Sequence, residues 1–227
     1  MMIEDYSADG VFAKQLKSGL KELNVEASEK QQQQLLELLQ MLYKWNKAYN
    51  LTAIKQPKEG LKLHLLDSLT LFKRFKELST NKTILDVGTG AGFPGLPLAI
   101  LFPNLKFSLL DSNSKKIRFI RQATHQLGLD NVEPIHARVE SLEERNFDVI
   151  MSRAFASLED MVNLTHTLLD NKGVWLAMKG EFLEQETEEL PSFAMKHSVT
   201  EVEVPNVYAK RCIVELCFTS GYKCEDK

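Results

Sequence analysis

Apolar residues in the first third of the chain recur at helical spacing. Those from Leu35 to Trp45 follow a capping-box signature formed by Ser28 and Gln31, which predicts a helix that starts there. Another helix is predicted over residues 11–23, and Pro57 is placed to open a third. Four consecutive glutamines begin at Gln31, and we interpret them as a solvated face of the second helix.

From Thr83 onward, short apolar runs of strand length alternate with longer segments of helical periodicity. Strands are predicted at 83–87, 106–110, 132–136, 146–151, 173–178, 199–204 and 211–218, and helices at 93–102, 114–127, 157–169 and 181–190. This alternation predicts an α/β, Rossmann-like fold with about seven strands in a mostly parallel sheet and helices on both faces. We expect residues 1–80 to form a helical N-terminal extension packed on the core, 81–220 the Rossmann-like domain, and 221–227 a disordered tail.

A strand, a tight turn and the start of a helix are predicted in succession from Thr83 to Gly95. Gly88, Gly90 and Gly92 allow the backbone to take positive φ and to approach a ligand without an intervening Cβ. A nucleotide-like ligand is therefore expected above this turn. By spacing, residues 90–95 also match the G-x-G-x-x-G pattern of dinucleotide sites, so the glycines alone leave the cofactor open.

Two acids at predicted strand ends narrow the choice of cofactor. Asp86 would face the like-charged pyrophosphate of a dinucleotide, whereas S-adenosylmethionine carries an ammonium and a sulfonium. An opposite charge about 4 Å away is worth roughly 4 kcal/mol at an effective dielectric near 20, which favours the cationic cofactor. Asp111 can accept both hydroxyls of a ribose, but this does not distinguish the cofactors. A helix N-cap or a loop charge is the alternative role for either acid.

The overall charge and the cysteine and histidine spacing limit the other classes of function. A net charge of −3 argues against nucleic-acid binding by bulk electrostatics, so any contact with RNA must be local. The three cysteines and five histidines lack the spacing of a metal site, and none is predicted. The start of the chain does not resemble a secretory leader, and no apolar run approaches the about 18 residues of a membrane span. We therefore expect a cytoplasmic protein without membrane contact.

Basic residues follow the ends of several predicted strands, where open α/β sheets bind ligands. They are Lys115, Lys116, Arg118, Arg121, Arg138, Arg153 and Lys179. We interpret them as a rim for an anionic substrate, with surface solubility as the alternative for Lys116 and Arg121.

Arg153 lies where amino-group methyltransferases carry an acidic or amide residue followed by Pro-Pro-aromatic, and that motif is missing. No Pro-Cys dipeptide offers a thiol nucleophile either. An acceptor that is already nucleophilic, such as a purine N7, needs neither of these motifs, because it requires no general base and no thiol nucleophile. Aligning it with the methyl donor can supply up to roughly 7–11 kcal/mol of the barrier.

Two parts of the predicted helical region carry candidate ligand contacts. Residues 45–54, W-N-K-A-Y-N-L-T-A-I, are too polar for continuous core and too aromatic for an ordinary linker, so we predict a ligand-facing turn. His64 borders the apolar side of the helix that Pro57 opens, and it fits either a core histidine or a site residue.

Together these residues resemble the bacterial 16S ribosomal RNA guanine-N7 methyltransferase family, also called the glucose-inhibited division protein B family. The matching segments are W-N-K-A-Y-N-L-T at 45–52, H-L-L-D-S-L at 64–69, D-V-G-T-G-A-G-F-P-G-L-P-L-A-I at 86–100, L-L-D-S at 109–112, S-R-A-F-A-S-L at 152–158 and K-G at 179–180. The resemblance implies an S-adenosylmethionine-dependent methyltransferase fold. It also implies methyl transfer to N7 of a guanine near the decoding region of the small ribosomal subunit, by direct displacement and without a covalent intermediate.

The resemblance also implies roles for individual residues. With the glycine turn and the two acids, the expected cofactor-binding residues are Asp86, Gly88, Gly90, Gly92, Phe93, Asp111, Val139, Glu140 and Arg153. The expected RNA-binding residues are Lys115, Arg138, Lys179, Arg211, Asn50 and His64, although Asn50 and His64 have no assigned chemistry. Arg153 and Lys179 are expected to act in catalysis by positioning or electrostatics.

The expected partner is 16S ribosomal RNA in the assembled small subunit, with the protein acting as a monomer. The alternatives are a methyltransferase acting on another RNA, a protein or a small molecule, a dinucleotide-binding oxidoreductase, and a non-catalytic RNA-binding factor.

Overall fold

A computed structural model describes residues 6–7, 10–142, 145–153, 155 and 157–219, so the predicted tail 221–227 lies outside the described residues. Within them, seven strands form one sheet in the order β3-β2-β1-β4-β5-β7-β6. The strands are β1 Thr83–Val87, β2 Lys106–Asp111, β3 Val132–His136, β4 Phe147–Ser152, β5 Leu169–Lys179, β6 Ala194–Glu201 and β7 Cys212–Phe218. Strands β1 to β5 are parallel, and β7 pairs antiparallel with both β5 and β6. The predicted fold class is confirmed.

Helices precede the sheet and connect its strands. They are α1 Val11–Glu22, α2 Glu29–Tyr49, α3 Pro57–Gly60, α4 Asp67–Leu69, α5 Phe72–Lys76, α6 Gly95–Leu101, α7 Ser114–Leu127, α8 Leu158–Thr165 and α9 Gln185–Glu188. A π-helical segment, Leu61–Leu66, joins α3 to α4, and short 3-10 turns occupy Val139–Ser141 and His166–Leu168. The helix predicted from Pro57 therefore changes its winding in the middle, a feature that frequently marks functional sites.

The two faces of the sheet have separate apolar cores because successive side chains of a strand point to opposite faces. Ile84 and Phe107 belong to the face covered by α1, α2, α6 and α7, where the N-terminal helices share one continuous core with the sheet. Leu85 and Trp175 belong to the other face, which is covered mainly by α8 through Met161. The N-terminal helices are thereby fixed against the sheet that carries the candidate site.

Several local predictions needed correction. Residues 45–49 of the segment predicted as a ligand-facing turn belong to α2. The polar strand β6 spans 194–201 and not 199–204, and the helix predicted over 181–190 is reduced to the four residues of α9. The glutamines of α2 are not a solvated face: Gln31 donates to the carbonyls of Ile100 and Leu101, and Gln34 donates to that of Leu127. The capping box of Ser28 and Gln31 is present as predicted.

Candidate active site

The turn after β1 has the backbone conformation that its glycines predict. Gly88, Gly90 and Gly92 have φ values of 67°, 64° and 87°. A Cβ at Gly92 would also collide with the side chain of Leu96, whereas one at Gly90 would meet nothing closer than the Lys116 Nζ at 4.0 Å. The turn is therefore packed tightly on its inner side at Gly92 and is open at Gly90, where a ligand can approach the backbone.

Asp86 lies beneath this turn and not above it. Its side chain is fully buried, and Oδ2 accepts hydrogen bonds from the Thr89 hydroxyl at 2.6 Å and the Gly95 amide at 2.9 Å. Burial raises the pKa of Asp86 to about 7, against the lowering effect of these hydrogen bonds. This carboxyl was expected to face the ligand, but in the structure it organises the turn from below through Thr89 and Gly95, and a cofactor contact stays a prediction.

Asp111 connects the end of β2 to the same turn. Its Oδ2 accepts from the Gly90 amide at 2.9 Å and lies 3.5 Å from the Lys116 Nζ, and Oδ1 accepts from the Asn113 amide at 2.8 Å. A carboxylate oxygen has two lone pairs, so Oδ1, with one donor, can still accept a ribose hydroxyl, whereas Oδ2 already has two donors. The predicted ribose contact is compatible with this geometry, but Lys116 is engaged within the protein and is not a free cation of the rim.

A first cavity of about 130 Å³ lies over the turn. It is lined by Leu51, Thr52, His64, Gly88, Thr89, Gly90, Ala91, Phe93 and Arg153. Four of the predicted cofactor-binding residues are thus together, and Leu51 and Thr52 come from the segment predicted as a ligand-facing turn. The structure therefore builds this cavity from both the sheet and the N-terminal helical region.

His64 is a neutral, buried wall of the first cavity. Its Nε2 lies 2.8 Å from the Thr52 hydroxyl oxygen, and its ring stacks on Phe93 with 5.0 Å between centroids. Burial, together with the nearby charge of Arg153, lowers the pKa of His64 to about 3. The Nδ1 atom is buried without a hydrogen-bond partner among the described residues.

A second cavity of about 430 Å³ adjoins the first and shares His64 and Arg153 with it. Its lining combines aliphatic and charged residues: Ile54, Leu63, His64, Asp67, Thr70, Arg153, Met178, Lys179, Gly180, Val202, Arg211 and Cys212. Arg153, Lys179 and Arg211, all predicted from the sequence, therefore meet here. The Lys179 Nζ is paired with Glu186 Oε2 at 2.6 Å, and both arginines contact Asp67.

Asp67 is the site residue that sequence reasoning missed. Its carboxylate binds Arg153 and Arg211, which are 86 and 144 positions away in the chain. The only signal was its place in the H-L-L-D-S-L segment, which contains nothing to indicate such distant partners.

The remaining predicted residues line neither cavity. Asn50 ends α2 in the left-handed conformation, and its Oδ1 lies 3.5 Å from the Lys55 Nζ. Lys115, in the first turn of α7, and Arg138, before the 3-10 turn, are exposed. In that turn Val139 is buried and Glu140 is exposed. The cofactor and RNA contacts proposed for these residues stay predictions.

The described residues contain no group of three or more His, Cys, Asp and Glu side chains that could hold a metal ion. None of the helices they form is long and apolar enough to cross a membrane. S-adenosylmethionine fits what is present, because Gly88 and Gly90 present backbone without Cβ atoms and Asp111 presents a carboxylate suited to a ribose.

The fold and the site define the protein as a Rossmann-like methyltransferase of the S-adenosylmethionine-dependent class. Its chain is similar in fold to a crystal structure of a SAM-dependent methyltransferase from Aquifex aeolicus, with a TM-score of 0.53 and 21% identity over 74% of this chain and 96% of that one. The family model for GidB, described as rRNA small subunit methyltransferase G, matches residues 31–214. The chain belongs to this family.

Curated relatives agree with the family model. A ribosomal RNA small subunit methyltransferase G from Alteromonas mediterranea is 45% identical over 88% of this chain and 94% of its own length. Another protein of the same description, from Methylibium petroleiphilum, is 47% identical over 89% of this chain and 93% of its own. The resemblance inferred from the motifs is thereby confirmed.

Proposed function

We propose that this chain transfers the methyl group of S-adenosylmethionine to N7 of a guanine in 16S ribosomal RNA, near the decoding region. The observation that carries the proposal is the meeting of two cavities at His64 and Arg153. One cavity lies over the glycine turn and suits the donor. The other opens beside Lys179 and Arg211 and suits the acceptor, so the methyl group passes at the place where they adjoin.

The chain's residues favour this transfer mainly by arrangement. When bound, S-adenosylmethionine supplies an electrophilic methyl carbon on a positively charged sulfur. N7 of a neutral guanine has a free lone pair, so transfer would form the bond from N7 to the methyl carbon as the carbon–sulfur bond breaks, with S-adenosylhomocysteine as the leaving group and the positive charge passing to the guanine. This displacement needs positioning but no general base and no covalent intermediate. His64 remains neutral because its pKa is lowered to about 3, so it adds no positive charge to the cavity that we assign to the cationic donor.

Three side chains are assigned to roles outside proton transfer. Arg153 borders both cavities, so it orients the donor and the acceptor relative to each other. Lys179 and Arg211 border only the second cavity and are assigned to local RNA contact there, each held by an acid of the protein, Glu186 or Asp67.

The proposed substrate is the assembled small subunit, which a cytoplasmic monomer of this chain binds through local contacts. The net charge of −3 supports this proposal, because a protein without a large positive field depends on a substrate that is already folded.

Labelled methyl transfer tests the function. Small subunits from cells that lack this enzyme are incubated with the protein and S-adenosylmethionine labelled in the methyl group, and chemical cleavage then maps N7-methylguanine in the RNA. We expect label at one guanine near the decoding region, and little label in subunits from cells that contain the enzyme. Label at another base atom, in a ribosomal protein or in no component would contradict the proposal.

A further inference from the structure

The carboxylate of Asp67 joins two arginines, Arg153 and Arg211, that are 58 positions apart in the chain. Its Oδ2 lies 2.9 Å from the Arg153 Nη1 and its Oδ1 lies 3.2 Å from the Arg211 Nε. The side chain of Asp67 is only 6% exposed, against 28% and 27% for the two arginines. One buried acid of the N-terminal helical region therefore contacts a cation beyond the end of β4 and another just before β7.

The π-helical segment before Asp67 adds a second contact. Arg153 Nη1 also donates to the backbone carbonyl of Leu63 at 3.0 Å, so this nitrogen is held by two acceptors four residues apart. Arg211 is held on its other side, where its Nη1 donates to the Lys210 carbonyl at 2.8 Å. Each guanidinium is therefore fixed by a shared carboxylate and by a separate backbone oxygen.

Without Asp67, two positive charges beside one cavity would repel each other. The carboxylate compensates that repulsion, and its burial strengthens both interactions because little water screens them. Fixed cations can hold a substrate more accurately than mobile ones. This matters for the rate, because a misplacement of about 1 Å at the reacting groups can lower it on the order of 100-fold.

We propose that Asp67 is a positioning residue for methyl transfer, which holds Arg153 and Arg211 as one unit at the wall of the second cavity. This inference rests on the proposed function for its kinetic consequence, but the contact itself can be tested separately. It assigns the N-terminal helical region a part in the reaction, in addition to its packing on the sheet.

The kinetic test compares Asp67→Asn with Asp148→Asn. Asp148 is a matched control, because its carboxylate is also paired with a cation, Lys82 at 2.6 Å, but it lies near the start of β4. We expect Asp67→Asn to lower kcat per folded protein at least about tenfold, with the KM for small subunits changed less than about threefold. Asp148→Asn should change both by less than about twofold. A purely structural Asp67 would lower the folded fraction and leave kcat unchanged, which would overturn the inference.

A double variant tests whether Asp67 acts through Arg153. In a protein that already carries Arg153→Lys, adding Asp67→Asn should lower kcat by less than about a further threefold, because the effects of coupled sites are not additive. If the double variant lost kcat by the product of the two single effects, Asp67 and Arg153 would act independently, and the inference would be overturned.

Arginine side-chain NMR gives a readout that does not depend on the reaction. The Arg211 Nε–H signal of the ¹⁵N-labelled protein should shift in both Asp67→Asn and Arg153→Lys, and should stay in place in Asp148→Asn. An unchanged signal in the first two variants would overturn the inference. If the wild-type protein transfers no methyl group to small subunits, the proposed function fails, and this NMR comparison still decides whether Asp67 holds the two arginines.

Discussion

Two buried side chains beside the glycine turn, Asp86 and His64, have pKa values that are shifted in opposite directions. Burial raises the pKa of Asp86 from 3.8 to about 7, and burial with the charge of Arg153 lowers the pKa of His64 from 6.5 to about 3. The contribution of Asp86 to folding stability is complete below pH 3.8 and is lost as the pH rises through 7. The contribution of His64 is complete above pH 6.5 and is lost as the pH falls toward 3. The two effects oppose each other between these values, so they must be separated by mutation.

Asp86→Asn removes the acid and nearly keeps its shape. Since one pKa unit corresponds to about 1.4 kcal/mol, the raised pKa of Asp86 costs at most about 4 kcal/mol at pH 8. We expect the stability of the variant relative to the wild-type protein to increase as the pH rises from 4 to 7 and to level off above it. Urea unfolding at several pH values measures this difference, in which the effect of His64 cancels.

Asp148→Asn is the control for that series. The pKa of Asp148 is lowered by Lys82 and Thr83 despite partial burial, so its stabilising effect is already complete between pH 5 and 8. The control should therefore differ from the wild-type protein by a constant amount over that range. A constant difference for Asp86→Asn as well would mean that the Asp86 carboxyl ionises normally in the folded protein.

At the scale of elements, the first turns of α2 connect the N-terminal helices to the sheet domain. The Gln34 amide donates to the Leu127 carbonyl at 2.8 Å, and the Gln31 amide donates to the carbonyls of Ile100 and Leu101. These acceptors lie at the ends of α7 and α6, where the last carbonyls of a helix have no partner within it. The glutamines therefore complete two other helices.

Gln34→Ala and Gln33→Ala compare a glutamine that bonds to another helix with a neighbouring glutamine that bonds within α2. Gln34→Ala leaves the Leu127 carbonyl unpaired in a partly buried place, and we expect it to cost about 1–2 kcal/mol of unfolding free energy. Among the described residues, the Gln33 side chain bonds within α2, to Glu37, so Gln33→Ala should cost less than about 0.5 kcal/mol. Urea unfolding of both variants tests this, and equal costs would contradict the role assigned to Gln34.

Elements with a strong apolar pattern could be predicted, and elements defined by distant partners could not. The central parallel strands β1, β2 and β4 are buried along most of their length, so their apolar runs identify them, whereas β6 is a partly exposed edge strand with a polar sequence. The glycine turn follows from local backbone chemistry. The contacts of Gln34 and Asp67 involve partners 93 and up to 144 positions away, which no local pattern encodes.

At the scale of the whole molecule, basic residues do not outnumber acidic ones, and those beside the cavities are paired with acids of the protein. The chain has 28 basic and 31 acidic residues, and cations around the second cavity are paired internally, Arg153 with Asp67 and Lys179 with Glu186. Attraction of an RNA backbone by counterion release depends on the number of phosphates that a protein neutralises. In the part of the chain that the structure describes, the arginines and the lysine that line the two cavities are all paired, so we expect recognition to depend on the shape of the substrate.

Protein-free RNA should therefore be a poor substrate. We expect the initial rate of methyl incorporation into deproteinised 16S RNA to be at least about tenfold below that into small subunits, both from cells that lack the enzyme, because the folded subunit presents the acceptor at no cost in ordering the RNA. Subunits reconstituted from the same RNA serve as the control and should recover the rate, which excludes damage to the RNA. Equal incorporation into free RNA and subunits would show that the chain recognises a local RNA element by itself, and the proposed requirement for an assembled subunit would then be wrong.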